Sequence, residues 1–386
     1  MIRKIQDLLI FLYFFSINFQ EYKLFNLGFL SIPKVVALFY FFFMIPSIQG
    51  LSKKKNLGFI FIPIFSFFIF LVVINIFNIS ASSFAFFDFT MFINIIIFWL
   101  CTIHFCRDIR IANTAMLYLA LGSALLAYFN FLGIGIEPDE QGRIYIFGDN
   151  PNFVGIKMSI SIILILFLVV QNNLGLNWLR YLLLIPIPIM LKLLIETGSR
   201  VSLISFVLMI IVGFYYVKKS GFFIKLFLFL ALTAVAFFIY NLIFENQLIL
   251  LRLSSSIEDK DLAGRDLIFS EIWDVVKYNF IFGIGQTGYF LKFGNGSPHN
   301  VLLEIFCYSG ILGVLIYLTF LINVFRLAIT SPIIEINILP LLLLIPLLGL
   351  ILSGQILTLK LGWVILSYIA SRIYFTNHLL VKNSFS

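Results

Sequence analysis

The sequence predicts an all-α polytopic membrane protein with about twelve transmembrane helices and one large outer loop between the ninth and tenth. Three observations carry this. Of 386 residues, 61% are hydrophobic and only 11% are charged, whereas about a quarter of a soluble chain is charged. The apolar residues fall in runs of the roughly 20 residues that a helix needs to cross a hydrocarbon core about 30 Å thick. The basic residues also gather on one side of those runs. Intrinsic disorder is excluded, because a chain with 48 Phe is far from the polar, charge-rich composition that keeps chains unfolded.

Cutting the chain at its polar punctuation gives spans near 6–20, 25–48, 57–79, 84–106, 111–133, 151–170, 178–196, 200–217, 222–244, 299–325, 333–353 and 356–375. Residues 1–386 read as a single transmembrane domain. The first span follows Arg3 and Lys4 without a small-residue cleavage site, so it reads as a retained helix. Of the 26 basic residues, 14 fall on one side, including the Lys53-Lys54-Lys55 run, together with only three of the 18 acidic ones. Lys and Arg are retained on the cytoplasmic side. Both termini are therefore expected there, and the formal +8 reports orientation rather than a nucleic-acid partner.

Two long polar stretches remain outside: 133–150 and 245–298. A loop as long as the second usually has a function. Within it, residues 262–279 place Leu267, Ile268, Ile272, Val275 and Val276 at helical spacing, which predicts an amphipathic helix at the membrane surface. A helix that merely caps the bundle has the same pattern.

Three outer helix starts carry caps: Asn150-Pro151, Ser199, and Ser297-Pro298. Each presents free amides and a positive dipole end, which favour anions and phosphate above all. Arginines stand near them: Arg143, Arg200 beside its cap, and Arg265 in the long loop. A guanidinium suits phosphate oxygens, although an arginine at this depth can simply snorkel. Lys192, Glu196 and Arg200 stand at i, i+4 spacing, so Glu196 can also serve only as their partner.

Ser297-Pro298 as cap and first helical residue would make His299 the second helical residue of the tenth span. A helix N-terminus disfavours imidazolium, so such a histidine stays neutral, as a general base must be. Glu304 can equally complement the helix start. The Cys101-x-x-His104-x-Cys106 string is a weak metal pattern, and all three cysteines lie in apolar runs, which suggests neither a disulfide framework nor a zinc ribbon. Gly283-Ile284-Gly285-Gln286-Thr287-Gly288 satisfies a dinucleotide pattern without its βαβ context and reads as a glycine-rich loop. No Walker lysine motif occurs.

Arg143-Ile-Tyr-Ile-Phe-Gly-Asp-Asn-Pro-Asn152, Gly198-Ser-Arg200, Gly264-Arg265-Asp266 with Trp273, Gly283-x-Gly285, and His299-Asn300-x-x-Leu303-Glu304 with Gly310-x-x-Gly313 together resemble the O-antigen ligase and polymerase superfamily. These are bacterial inner-membrane glycosyltransferases with a GT-C-like fold. The motifs cover roughly Arg143 to Tyr317. The resemblance implies a glycan donor carried on undecaprenyl diphosphate, no metal or cofactor, an active site facing the periplasm, and a chain-length regulator as a further partner beside membrane lipid. It implies that Arg200 and Arg265 grip the diphosphate and that His299 activates the acceptor hydroxyl. Arg143, Asn300 and Glu304 are its candidates for contacts to diphosphate or glycan. High Phe and Ile usage fits an AT-rich gene, as polysaccharide clusters commonly are, and tilts the reading to polymerase over ligase. A flippase for the same lipid-linked sugar is a third reading, but no internal repeat supports it.

Overall fold

The computed structural model describes residues 2–22, 31–52, 57–77, 86–138, 143–171, 175–216, 265–293, 300–329, 338–353 and 357–383. The described residues of the chain are helical apart from one small hairpin and a few turns, as in an all-α polytopic membrane protein. Five of its described helical segments are long and apolar enough to cross a membrane: Gly58–Phe77, Ile109–Phe131, Pro151–Gln171, Asn177–Glu196 and Val301–Ile329. Helices dominate because each satisfies its own backbone donors and acceptors where no water can.

Contacts divide the chain into two compact units. The first comprises Met1–Ile45, Asp108–Lys260 and Asn337–Pro346. It contains α1 (Ile2–Ser16), α5 (Ile109–Phe131), α6 (Pro151–Gln171), α7 (Ile187–Glu196) and α8 (Arg200–Tyr216). Helix α6 is its centre, buried from Val154 through Leu164 without a break and packed against α5, α7 and α8. The second unit comprises Pro46–Arg107, Asp261–Ile336 and Leu347–Ser386. It holds α3 (Gly58–Phe77), α4 (Phe86–Phe105), α9 (Arg265–Tyr278), α10 (Gly285–Phe293), α11 (Val301–Ile329) and α13 (Lys360–Asn383). There α11 packs on α3, α9, α10 and α13, and α4 packs on α13. The remaining described helices are α2 (Ile32–Ser52) and α12 (Leu339–Ser353). On α3, Ile60, Ile64, Phe67, Leu71 and Ile74 are buried while Ile62, Ile69 and Ile76 are exposed. A helix that is apolar on its exposed face as well as its buried one is what a lipid environment accepts.

Three expectations need correction, and one polar stretch gains structure. Within the stretch 133–150, Ile136–Pro138 (β1) pairs antiparallel with Ile144–Ile146 (β2). Its plug is Phe147, which packs on Phe19, Tyr22 and Phe129. The span 178–196 is broken, running as a 3₁₀ helix over Asn177–Leu184 before α7 begins, because Pro186 and Pro188 contribute no amide to an α ladder. The glycine-rich segment is also not simply a loop. Gly283 and Gly285 take φ of 70° and 69°, and α10 starts at Gly285. Finally, α11 begins at Val301 rather than near Pro298. Asn300 is its cap, accepting from Leu303 N at 3.1 Å through Oδ1 and from Glu304 N at 3.0 Å through its carbonyl. The ninth span, near 222–244, and His299 lie outside the described residues.

Helix α11 is broken at Gly310, whose φ 61° and ψ −166° belong to no helix. The donors and acceptors freed there are taken by the preceding turn: Ile311 N donates to Phe280 O and Ile284 N to Cys307 O, each at 2.8 Å. Two glycines make the fit. A Cβ on Gly283 would stand 2.5 Å from Cys307 O and 2.7 Å from Gly310 N, and one on Gly310 would stand 2.5 Å from Phe282 N.

Candidate functional site

In the first unit the starts of α6 and α8 are zipped together by small residues. A Cβ on Gly155 would lie 2.6 Å from Ser202 Oγ and 2.9 Å from Thr197 Oγ1, so only glycine allows this approach. Ser202 Oγ donates to Asn152 O at 3.2 Å, and Ser159 Oγ donates to Ser202 O at 3.0 Å. Both caps are present. Asn150 Oδ1 accepts from Asn152 N at 2.9 Å, while Ser199 Oγ receives Ser202 N at 3.4 Å and lies 2.7 Å from the Ser202 hydroxyl oxygen. Asn150-Pro151-Asn152 and Gly198-Ser199-Arg200, distant in sequence, thus form one locus with two helix N-termini. Their dipoles favour an anion there.

Arg200 is the first residue of α8 and is exposed. Arg143 immediately precedes β2 and is half-buried, and β2 packs against α6. Glu196 is occupied: Lys192 Nζ stands 3.6 Å from its Oε1, and Asn130 Nδ2 donates to its Oε2 at 2.7 Å. Glu196 is thus the i, i+4 partner of Lys192.

A further feature lies just behind the hairpin. Lys157, fully buried on α6, forms an ion pair and hydrogen bond with Asp149, which is 2% exposed. Lys157 Nζ also reaches Asn18 O at 3.4 Å. Asn18 Oδ1 accepts from Ser123 Oγ at 2.6 Å, and Ser123 Oγ accepts from Ser161 Oγ at 2.7 Å. The available signal was a lysine inside an otherwise apolar span with an acidic residue upstream.

In the second unit Arg265 opens α9. The apolar stripe expected there is present where side chains are described: Ile272, Val275 and Val276 are buried, with Trp273 57% and Tyr278 83% exposed. Glu304 is buried in the first turn of α11, where its Oε1 accepts the Tyr308 hydroxyl at 2.7 Å. Tyr289 of α10 meets the Tyr308 ring edge-on at 5.2 Å. The Tyr289 phenol is held protonated well above the ordinary tyrosine range, first by burial and then by the nearby Glu304 and Cys307. Asn75 of α3 accepts from Gln286 N at 2.8 Å. The unit therefore brings Glu304 together with Tyr289 and Tyr308, which the sequence had not grouped. Cys101, His104 and Cys106 are all buried near the end of α4.

No curated protein matches the chain. A family model described as O-antigen ligase matches residues 185–318, a stretch that takes in Arg200, Arg265, Asn300 and Glu304 together with the Gly283–Gly310 fit and leaves Arg143 and the Asp149–Lys157 pair upstream. Over residues 185–318 the chain is thus similar to the O-antigen ligase family.

Proposed function

We propose that the chain is a surface-polysaccharide polymerase of the bacterial inner membrane, moving a growing glycan from undecaprenyl diphosphate onto the next lipid-linked repeat unit. The observation that carries a ligase-or-polymerase reading is the family match over residues 185–318, within which the helix start bearing Arg200 stands against that of α6; the choice of polymerase rests on the high Phe and Ile usage. The reading includes twelve spans, cytoplasmic termini, the 245–298 loop outside with α9 on the membrane surface, and catalysis on the periplasmic side.

In this proposal the acceptor hydroxyl oxygen attacks the anomeric carbon in line, with inversion. The bond from that carbon to the diphosphate oxygen breaks, and undecaprenyl diphosphate leaves with the electron pair. Arg200 and Arg265 stabilise the charge developing on the leaving group, the task a metal performs in many glycosyltransferases. His299 takes the hydroxyl proton. Arg143 contributes to the anionic contact. Asn300 holds the start of α11, and Glu304 with its Tyr308 partner lies one turn further along, as candidate contacts to the glycan.

The ligase reading has one observation in its favour, the description of the matching family. Deleting the gene and analysing the surface polysaccharide separates the two. Loss of a polymerase leaves one repeat unit on the lipid A core; loss of a ligase leaves none and accumulates lipid-linked polymer. Single units trapped on the cytoplasmic leaflet would instead identify a flippase and overturn both.

A further inference from the structure

A charged side chain inside a membrane helix is costly unless it is paired, and such residues generally mark function. Lys157 is such a residue, with no exposed surface, on a helix whose neighbouring positions are Ile156 and Met158, both buried. Its partner does not come from a packed helix. Asp149 belongs to the segment that leads out of the hairpin, its amide donates to Ile146 O at 2.9 Å, and Ile146 and Asp149 form a bridge. Strand β2 runs back from Ile146 to Ile144, whose predecessor is Arg143. A pull on the Asp149 carboxylate is therefore a pull on the strand that Arg143 begins.

The anchor is itself held from the far side. Asn18, whose carbonyl receives Lys157, donates through Nδ2 to Leu119 O at 3.0 Å. A Cβ on Gly122 would stand 2.5 Å from that Nδ2, so α5 leaves room for the asparagine only because residue 122 is glycine. Lys157 is thus held between the Asn18 carbonyl, in the 3₁₀ turn that follows α1, and the Asp149 carboxylate. Well-packed apolar residues would stabilise this interior as well or better; what the charge adds is a direction for the hairpin.

We propose that Lys157 is a positioning residue, which through Asp149 holds the β1–β2 hairpin so that Arg143 meets the anionic lipid diphosphate. This rests on the proposed reading of Arg143, and the experiment separates the two. The purified full-length chain in detergent is exposed to trypsin, and the rate of cleavage after Arg143 is followed by mass spectrometry. K157M is expected to raise that rate roughly tenfold or more, because cleavage follows local opening. K157R is expected to restore it. Because K157M leaves a buried carboxylate unpaired and can compromise folding, D149L/K157M is measured too; it keeps the interior apolar and packed yet still frees the hairpin.

Binding of undecaprenyl diphosphate is then measured for wild type, K157M, R143A and K157M/R143A. Each single change is expected to weaken binding roughly tenfold, and the double change no more than either one, the signature of residues acting through one contact. Additive losses, or K157M binding as wild type does, would overturn the positioning role alone. A wild type that does not bind the probe would overturn the proposed function and this role with it. Unchanged trypsin cleavage in K157M and D149L/K157M would overturn the anchoring itself.

Discussion

Gly310→Ala tests the broken helix directly. At φ 61° and ψ −166° the backbone occupies a region that is essentially glycine-only and costs other residues of order 1–3 kcal/mol. The new methyl would also press on the backbone of Ile281 and Phe282. That backbone has no flexible end to yield, so the turn must move as a whole. Moving it strains the two 2.8 Å bonds, Ile311 N to Phe280 O and Ile284 N to Cys307 O, and an unmade buried bond costs about 1–3 kcal/mol. The total comes to about 4 kcal/mol even if only one of the two is lost. Gly133→Ala is the control, because Gly133 has φ 74° and nothing within 4 Å of its Cβ position, leaving a left-handed backbone penalty of about 1 kcal/mol. The assay is thermal unfolding in mild detergent, scored as the fraction still monodisperse on size-exclusion chromatography after heating. G310A should melt well below G133A, and G133A only slightly below wild type. Coincident melting of the two variants would refute the argument that the turn fills the helix break.

Arg200→Ala, Arg265→Ala and His299→Ala should each suppress long polysaccharide chains roughly a hundredfold or more, with membrane levels of the protein unchanged; normal chain-length ladders in all three would reject their assigned roles. Glu304→Ala should lower the melting temperature more than Glu304→Gln, because the glutamine keeps an acceptor for the Tyr308 hydroxyl while the alanine leaves it unpaired at a cost of about 1–3 kcal/mol. Equal losses would mean that charge, not the hydrogen bond, sets the cost. Lys192→Ala should change stability by under about 1 kcal/mol, since its ion pair to Glu196 spans 3.6 Å with the lysine side chain 44% exposed. A larger fall in its melting temperature would show that the pair is shielded from water.

What was legible in the sequence is what local chemistry dictates. The runs that became α3, α4, α6 and α8 announce themselves because a buried helix in lipid tolerates almost nothing but apolar side chains. Asn150 and Ser199 are caps because their short side chains reach the free amides ahead of them. Misreadings arose where two local rules competed or where the partner was remote. Ser297 and Asn300 stand three apart before the same apolar run, and either type can cap; Asn300 caps α11, while Ser297 lies outside the described residues. Gly285 read as loop because glycine is a poor helix former, yet here its positive φ is what turns the chain into α10. The strand Ile144–Ile146 spans three residues, too few for alternation to register. Lys157 and Asp149 are eight positions apart in sequence, and only the returning hairpin brings them together.

Two departures from membrane-helix rules among the described residues, a buried lysine in α6 and a break in α11, have the same physical form. Each exposes a polar need inside an apolar helix, and each need is met by a segment that is not itself a helix: Asp149 after the hairpin for Lys157, and the 280–284 turn for the break at Gly310. A membrane bundle has little apolar incentive to hold an outer loop in place, because lipid competes on equal terms for any apolar face. Lipid offers neither a carboxylate for an ammonium nor backbone partners for a broken helix. An unmet polar group inside the bundle is therefore a specific address for the loop that satisfies it. Both addresses adjoin motifs of the candidate site: Asp149 directly precedes Asn150-Pro151, and Gly310 lies six residues beyond Glu304. In each unit, a residue unfavourable to a free helix fixes where a neighbouring non-helical segment must lie.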